Sequence, residues 1–483
     1  MNRENLYDAI TGIRDDLIHR AETCRGKKRT FRWRGIAAAL LAVAVMGGIM
    51  LRPGGGPMVP SAYAIAQAQY PEMAPYPNEN DYVTPTGDID DEGFSAVYDA
   101  WRESIKAQRR SAGYADGLEA FFAAGTREFL SGEAPANRIC SPLNVYMALG
   151  MLAELTDGES RRQILDTLGS ESIDALRAQA ADLWNANYRR DGAVSQVLAS
   201  SLWLNEEVDF RQDTMDTLAE VYYASSYQGE MGSEALNQAL RDWLSQQTGG
   251  LLEDQAAAMR LSPDTILALA ATVFFQAKWS QEFSPQRTTE GIFHTLNGEE
   301  SCSFMYQSRA KEYYWAHRFS AVGQGLENGG AMWFLLPDEG CSPEELLSDP
   351  QTMEFILSNG GWAQQKYLIV NQSIPKFDVV SQLDLRSGLQ ALGITEVFDP
   401  ACADFTPTTP AADGIYLSRA EHDARVMIDE EGCTAAAYTV MAADGAAEPP
   451  EEEVDFVLDR PFLFAITTQD GLPLFVGIVH QPV

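Results

Sequence analysis

The chain has 483 residues, 45% of them apolar and 10% aromatic, enough for one large packed core or for two to three smaller domains. Thirty-five Lys and Arg stand against 69 Asp and Glu, a net charge of −34, and so acidic a body repels nucleic acid and anionic lipid surfaces. Nucleic acid is therefore not an expected partner. Charge is unevenly spread, because residues 1–34 hold nine Lys/Arg and five Asp/Glu, leaving 26 basic and 64 acidic residues for the remainder. In that basic segment Leu6, Ile10, Ile13 and Leu17 recur at helical spacing, so a short amphipathic cytoplasmic helix is expected.

Gly35 to Leu51 is seventeen residues without a charge, preceded by Arg25, Lys27, Lys28, Arg29, Arg32 and Arg34. As a helix it would span about 25 Å, close to the hydrocarbon thickness of a bilayer. The expectation is a transmembrane signal-anchor over 35–51 with its basic flank in the cytoplasm and everything later outside. A cleaved secretory signal is the alternative, with Ala62-Tyr63-Ala64 as a small-residue cleavage site. Residues 52–112 follow as an extracytoplasmic linker rich in Pro, Gly, Asn and Asp, with an extra helix expected over Phe94 to Arg110. A globular domain is expected over 113–483.

Inside that domain Leu118 to Leu130 has helical apolar spacing, and Ser141-Pro142 is an N-cap followed by proline at the first helical position. Ile266 to Phe275 is a continuous apolar run, the pattern of a strand covered on both faces. Ala331 to Leu336 and Tyr367 to Ile374 also read as strands, and Pro461 to Thr468 with Leu474 to His480 as a hairpin turning at Asp470-Gly471. Helices come early and strands late, which predicts an α+β fold rather than alternating βαβ units.

Enzymatic chemistry finds no support. There is no G-x-S-x-G elbow, H-E-x-x-H pair or phosphate-binding loop, and the five histidines show no ligand spacing. No metal and no cofactor are expected. Six cysteines (Cys24, Cys140, Cys302, Cys341, Cys402, Cys433) are scattered without close pairing and read as small buried apolar side chains, with no disulfide expected.

The most informative stretch is Glu430-Glu431-Gly432-Cys433-Thr434-Ala435-Ala436-Ala437-Tyr438-Thr439, where small residues follow a Glu-Glu-Gly turn. It resembles the proximal hinge of the serpins, inhibitors that trap proteases by inserting their own cut loop into a β-sheet. Further blocks follow in that family's order: Asn137 to Asn144, Asn237 to Gly250 with Trp243, Phe274 to Trp279 with Phe283 and Thr288, and Ile374-Pro375-Lys376-Phe377. Leu392-Gly393-Ile394, Ala403-Asp404-Phe405, Leu417-Ser418 with His422, and Asp459 to Phe464 with Phe475-Val476-Gly477 complete the series. Together they cover Leu118 to Val483. The resemblance, to a membrane-anchored bacterial-type member, implies early helices packed on a large central mixed β-sheet, smaller sheets, and an exposed reactive-centre loop.

It also implies a function. An extracellular serine protease, or a cysteine protease, would attack the loop and be held as an acyl-enzyme while the loop inserts, with the inhibitor acting as a monomer. Side chains of a strand alternate between faces, so if Cys433 points inward, Ala435, Ala437 and Thr439 do too, and all four are small. The bulky Tyr438 falls on the other face with Thr434 and Ala436. By the family's usual spacing the cut bond is Ala446–Ala447, with Met441–Ala442 and Ala443–Asp444 as alternatives. Small residues there suit elastase-like or subtilisin-like enzymes, and no basic residue lies between Gly432 and Arg460 to suit a trypsin-like one. Glu448 and Glu451-Glu452-Glu453 could draw a basic protease electrostatically. A non-inhibitory serpin, serving as a surface carrier or scaffold, is the competing function.

Where the sheet must part, the family keeps a polar cluster. Its counterparts are Ser141, Asn144, Ala271, Trp279 and His422. Here Asn144 stands for the family's serine and Ala271 for its asparagine, so the amide of Asn144 is expected to make good the one lost at 271 and to keep His422 partnered.

Overall fold

In the computed structural model the described residues are 37–46 (as backbone), 63–77, 79–84, 90–108, 110, 113–132, 135–191, 194–248, 259–327, 329–433 and 450–482. The helix expected over residues 1–34 and the loop from 434 to 449 lie outside them. The helices are α1 (Asp91–Gln108), α2 (Glu119–Leu130), α3 (Pro142–Leu155), α4 (Gly158–Leu168), α5 (Ile173–Asn187), α6 (Gln212–Val221), α7 (Glu234–Gln247), α8 (Pro343–Ser348), α9 (Pro350–Leu357) and α10 (Arg386–Ala391). The early strands are β1 (Ala37–Met46), β2 (Ala64–Ala66), β3 (Arg138–Cys140), β4 (Arg189–Arg190), β5 (Ser195–Asn205), β6 (Ala224–Gly229), β7 (Thr265–Lys278), β8 (Thr289–Thr295) and β9 (Gly298–Trp315). The later ones are β10 (Phe319–Gly325), β11 (Ala331–Pro337), β12 (Gln365–Pro375), β13 (Phe377–Asp384), β14 (Tyr416–Ile428), β15 (Gly432–Cys433), β16 (Glu453–Val457), β17 (Phe462–Thr467) and β18 (Pro473–Val479).

Two large sheets carry the molecule. The first runs β13-β14-β1-β7-β5-β6-β2, with β15 added to β7 and β4 to β5. The second runs β16-β12-β9-β10-β11-β17-β18-β3, with β8 on β9. The first is mixed: β14 runs antiparallel to β13, β5 antiparallel to β7, and β5 parallel to β6.

Helix α3 sits against both sheets, touching β7 of the first and β18 of the second. Every one of its fourteen residues is buried, as its all-round apolar sequence requires. Ser141 caps it by accepting a hydrogen bond from the Asn144 backbone N–H at 3.4 Å, and Pro142 opens the first turn. Its one carboxylate, Glu154, is satisfied by Nε and Nη2 of Arg177, both at 2.8 Å, and by the Tyr222 hydroxyl at 3.1 Å. Strand β7 is buried at all but one of its fourteen positions, as a two-sided strand should be.

Two expectations about the N-terminal third are corrected. Of the apolar run 35–51 expected to cross a membrane as a helix, the described part, Ala37–Met46, is instead strand β1, seated between β14 and β7. Among the described residues no helix is long and apolar enough to cross a membrane. A continuous apolar run is the mark of a bilayer helix and of a doubly covered strand alike, and periodicity cannot separate them. Here β7 and β14 present two facing rows of backbone donors and acceptors, and the run pairs with both.

The second correction concerns the linker. Strand β2 pairs with β6, and the Tyr70 ring lies 5.3 Å from Trp184 and 5.7 Å from Tyr188 between centroids. The Tyr76 N–H donates to the Asp191 carbonyl at 2.7 Å, and Trp101 of α1 donates its indole N–H to the Asp191 carboxylate at 2.9 Å. The segment holds an aromatic at each anchoring point and covers the sheet's last edge instead of standing clear of the body.

Candidate functional site

The hinge begins where β14 ends. Asp429 turns the chain by accepting the backbone N–H groups of Glu431 at 3.0 Å and Gly432 at 3.2 Å on its own Oδ1, while its N–H donates to the Gly432 carbonyl at 3.0 Å. Gly432 then lies at φ +148°, and a Cβ there would sit 2.7 Å from the Ala277 carbonyl oxygen and 2.7 Å from the Lys278 Cα. Both obstacles are backbone, so no side-chain adjustment could make room. Only glycine fits.

This close approach lets the chain pair at once. Gly432 and Cys433 form β15, antiparallel to Lys278 and Ala277 at the end of β7. Trp279 pins the turn from below: its indole N–H donates to the Asp429 carbonyl at 2.8 Å, and its backbone N–H donates to the Glu431 carbonyl at 3.1 Å. The Phe283 N–H adds a bond to the Glu430 carbonyl at 2.9 Å.

Glu430 is the electrostatic anchor. Its carboxylate accepts from Lys376 Nζ at 2.8 Å and from the Thr288 hydroxyl at 2.7 Å. Burial alone would raise its pKa, but these two hydrogen bonds, a backbone hydrogen bond and the charge of Lys376 together outweigh burial and hold the carboxyl below its usual range. The pair closes on one side only, since Lys376 is 38% exposed and Glu430 14%.

The second cluster lies deeper, where β14 and α3 meet. His422, fully buried, accepts the Ser141 backbone N–H on Nε2 at 2.9 Å, which requires that nitrogen to carry no proton. The Asn144 side-chain amide donates to the Ala271 carbonyl on β7 at 3.3 Å. Four of the five residues picked from the sequence as the sheet-opening cluster thus come together: Ser141, Asn144, Ala271 and His422. Trp279 does not join them and belongs to the hinge instead. Asn144 ties helix to strand through the main chain of Ala271, at the position whose side-chain amide is absent.

Of the hinge residues, Glu430, Glu431, Gly432 and Cys433 are placed as above. Thr434, Ala435, Ala436, Ala437, Tyr438 and Thr439, and the bond Ala446–Ala447, lie outside the described residues. After the loop, Glu452 pairs with Lys366 at 2.6 Å and Glu453 opens β16 beside β12. Sequence reasoning missed Asp429, Thr288 and Lys376 as hinge partners. Lys376 and Glu430 are opposite charges 54 residues apart, and nothing in their spacing announces a meeting. Cys140 and Cys302 are buried as expected, whereas Cys402 is exposed.

Known proteins resemble this arrangement across most of the chain. Residues 119–482 match the family described as Serpin (serine protease inhibitor). Serpin-ZX of Arabidopsis thaliana is 27% identical over 363 residues, covering 72% of this chain and 92% of that protein. Alpha-1-antiproteinase of Rattus norvegicus is 27% identical over 371 residues, covering 74% and 86%. Both are eukaryotic, so they lend nothing to a bacterial-type grouping. The native-state crystal structure of the thermophilic serpin tengpin superposes with a TM-score of 0.67 at 24% identity, over 77% of this chain and 95% of that one. With an α+β body, a hinge glycine docked on the central sheet and a family match over 119–482, the chain belongs to the serpin family, whose members are generally protease inhibitors rather than enzymes.

Proposed function

We infer that this protein is a suicide-type inhibitor of serine proteases of elastase-like or subtilisin-like specificity, acting outside the cytoplasm as a monomer. The protease's serine attacks the Ala446 carbonyl, Ala447 leaves as a new amine, and an ester joins protease and inhibitor. Loop residues from Thr434 onward then enter the first sheet between β7 and β14, carrying the ester-bound protease with them. Insertion must outrun hydrolysis of the ester, which in ordinary turnover takes about 1 to 10³ per second.

The observation that supports this reading best is β15. The hinge is already hydrogen-bonded to the last two residues of β7, so insertion starts from an existing pairing. The residues next in line are Thr434, Ala435, Ala436 and Ala437, none large or charged. A carrier would have no use for a run so free of bulk.

Incubation with elastase-like and subtilisin-like proteases tests the reading. The expected outcome is an adduct stable to denaturant, with release of a fragment beginning at Ala447 by mass spectrometry. Cleavage without any adduct, together with equal melting of cut and intact protein, would overturn it.

A further inference from the structure

The line of insertion is already occupied. Strand β1 pairs with β7 from Ala37↔Thr265 to Met46↔Phe275, and with β14 from Ala37↔Tyr416 to Met46↔Val426. It runs parallel to both. Strand β15, which follows β14 after a three-residue turn, pairs with β7 just beyond that stretch, at Ala277 and Lys278. The two segments follow one another along β7, with only Gln276 between their pairings.

We propose that Ala37–Met46 is a gate on the inhibitor: it fills the slot reserved for the reactive loop, and the loop can insert only as this strand leaves. The inference rests on the inhibitory reading above. Three observations carry it. The strand is paired on both sides along its whole length, so it completes the sheet. Its ten residues are all Ala, Leu, Val or Met, without charge, proline or glycine, as an interior strand needs. The hinge has formed two residues of pairing and meets the strand's C-terminal end there.

Occupancy sets the activity. If the slot is free only a tenth of the time or less, the apparent rate of trapping falls by about tenfold or more, because only the vacant form can accept the loop. Proline has no backbone donor, and adjacent residues of a strand donate to opposite neighbours. The variant Ala42→Pro/Val43→Pro in the full chain thus removes one donor toward β7 and one toward β14.

The test combines hydrogen exchange with trapping kinetics on the full chain and on this double variant. Residues 37–46 of the unmodified chain should exchange as slowly as β7, and the variant should lose that protection and trap protease about tenfold faster or more. A peptide spanning residues 34–52, added to the variant, should slow it again. Unprotected exchange at 37–46, or equal trapping rates with the strand protected, overturns the gate while leaving the inhibitor intact. Absence of adduct from both forms overturns the inhibitory reading and the gate with it, and is distinguished from loss of the gate alone by that absence.

Discussion

Asp423 offers a direct measurement of a carboxylate buried in the first sheet. It lies on β14 opposite Gln382 of β13 and in register with Val43 of β1, only 2% exposed. Its Oδ1 has no hydrogen-bond partner among the described residues. Burial pushes the carboxyl up to about 6 from an ordinary 3.8, with Glu421 adding to the rise and Gln382 and Arg419 opposing it. A displacement of that size sets about 3 kcal/mol against the ionised form. Because the folded pKa is raised, the folded state keeps a proton that the unfolded state releases between about pH 4 and 6. Stability is therefore undiminished below about pH 4, falls through that window, and bears the full cost above it. Asp423→Asn keeps the size and a hydrogen-bonding group toward Gln382 but cannot ionise. Denaturant unfolding should show a gain of up to about 3 kcal/mol at pH 7.5, shrinking to nothing near pH 4. An equal gain at both pH values, or none at either, would refute the assignment of a buried, penalised carboxylate.

Glu430 should behave in the opposite sense. Its pKa is lowered, so its contribution is present above the unfolded value and lost as pH falls through the folded one. Glu430→Gln is expected to cost about 1–2 kcal/mol at neutral pH, discounted for the partly exposed Lys376, with the gap closing in acid melts. Gly432→Ala should cut the trapping rate about tenfold or more, since the added Cβ meets the backbone of Ala277 and Lys278, and unchanged kinetics would show the hinge is not docked there. Ala435→Arg should be cleaved at the normal rate without forming an adduct on a denaturing gel, because burying an unpaired charge costs several kcal/mol. Asn144→Leu should destabilise by about 1–3 kcal/mol in urea, the price of leaving the Ala271 carbonyl without its amide donor.

How much of this could be read beforehand depended on how local each signal was. The hinge glycine, the capped helix at Ser141-Pro142 and the doubly covered strand β7 each announce themselves within a few residues, through turn chemistry, capping and apolar continuity. Ser141, Asn144, Ala271 and His422 are scattered over 282 positions, and family order alone brought them onto one page. Charge pairing gave no such help for Lys376 and Glu430, because any of the chain's 35 Lys and Arg residues could have met that carboxylate. The run over 35–51 misled for a sharper reason: length and lack of charge describe its surroundings as apolar without saying whether those surroundings are lipid or sheet. Tyr70 was hidden by the Pro-rich, aperiodic company it keeps. Its role depends on Trp184 and Tyr188, more than a hundred residues on.

The head-to-head meeting of β1 and β15 carries a consequence for the route between the two occupied states. The loop advances down β7 from Lys278 toward Thr265, and the first bonds it must take over are those of Met46. Each residue gained by the newcomer can release one residue of the incumbent, so the backbone partners of β7 and β14 are handed across in single steps and the sheet is never left broadly open. Weakening near Met46 should then hasten the exchange far more than weakening near Ala37, as a zip opens more readily at its slider than at its far stop.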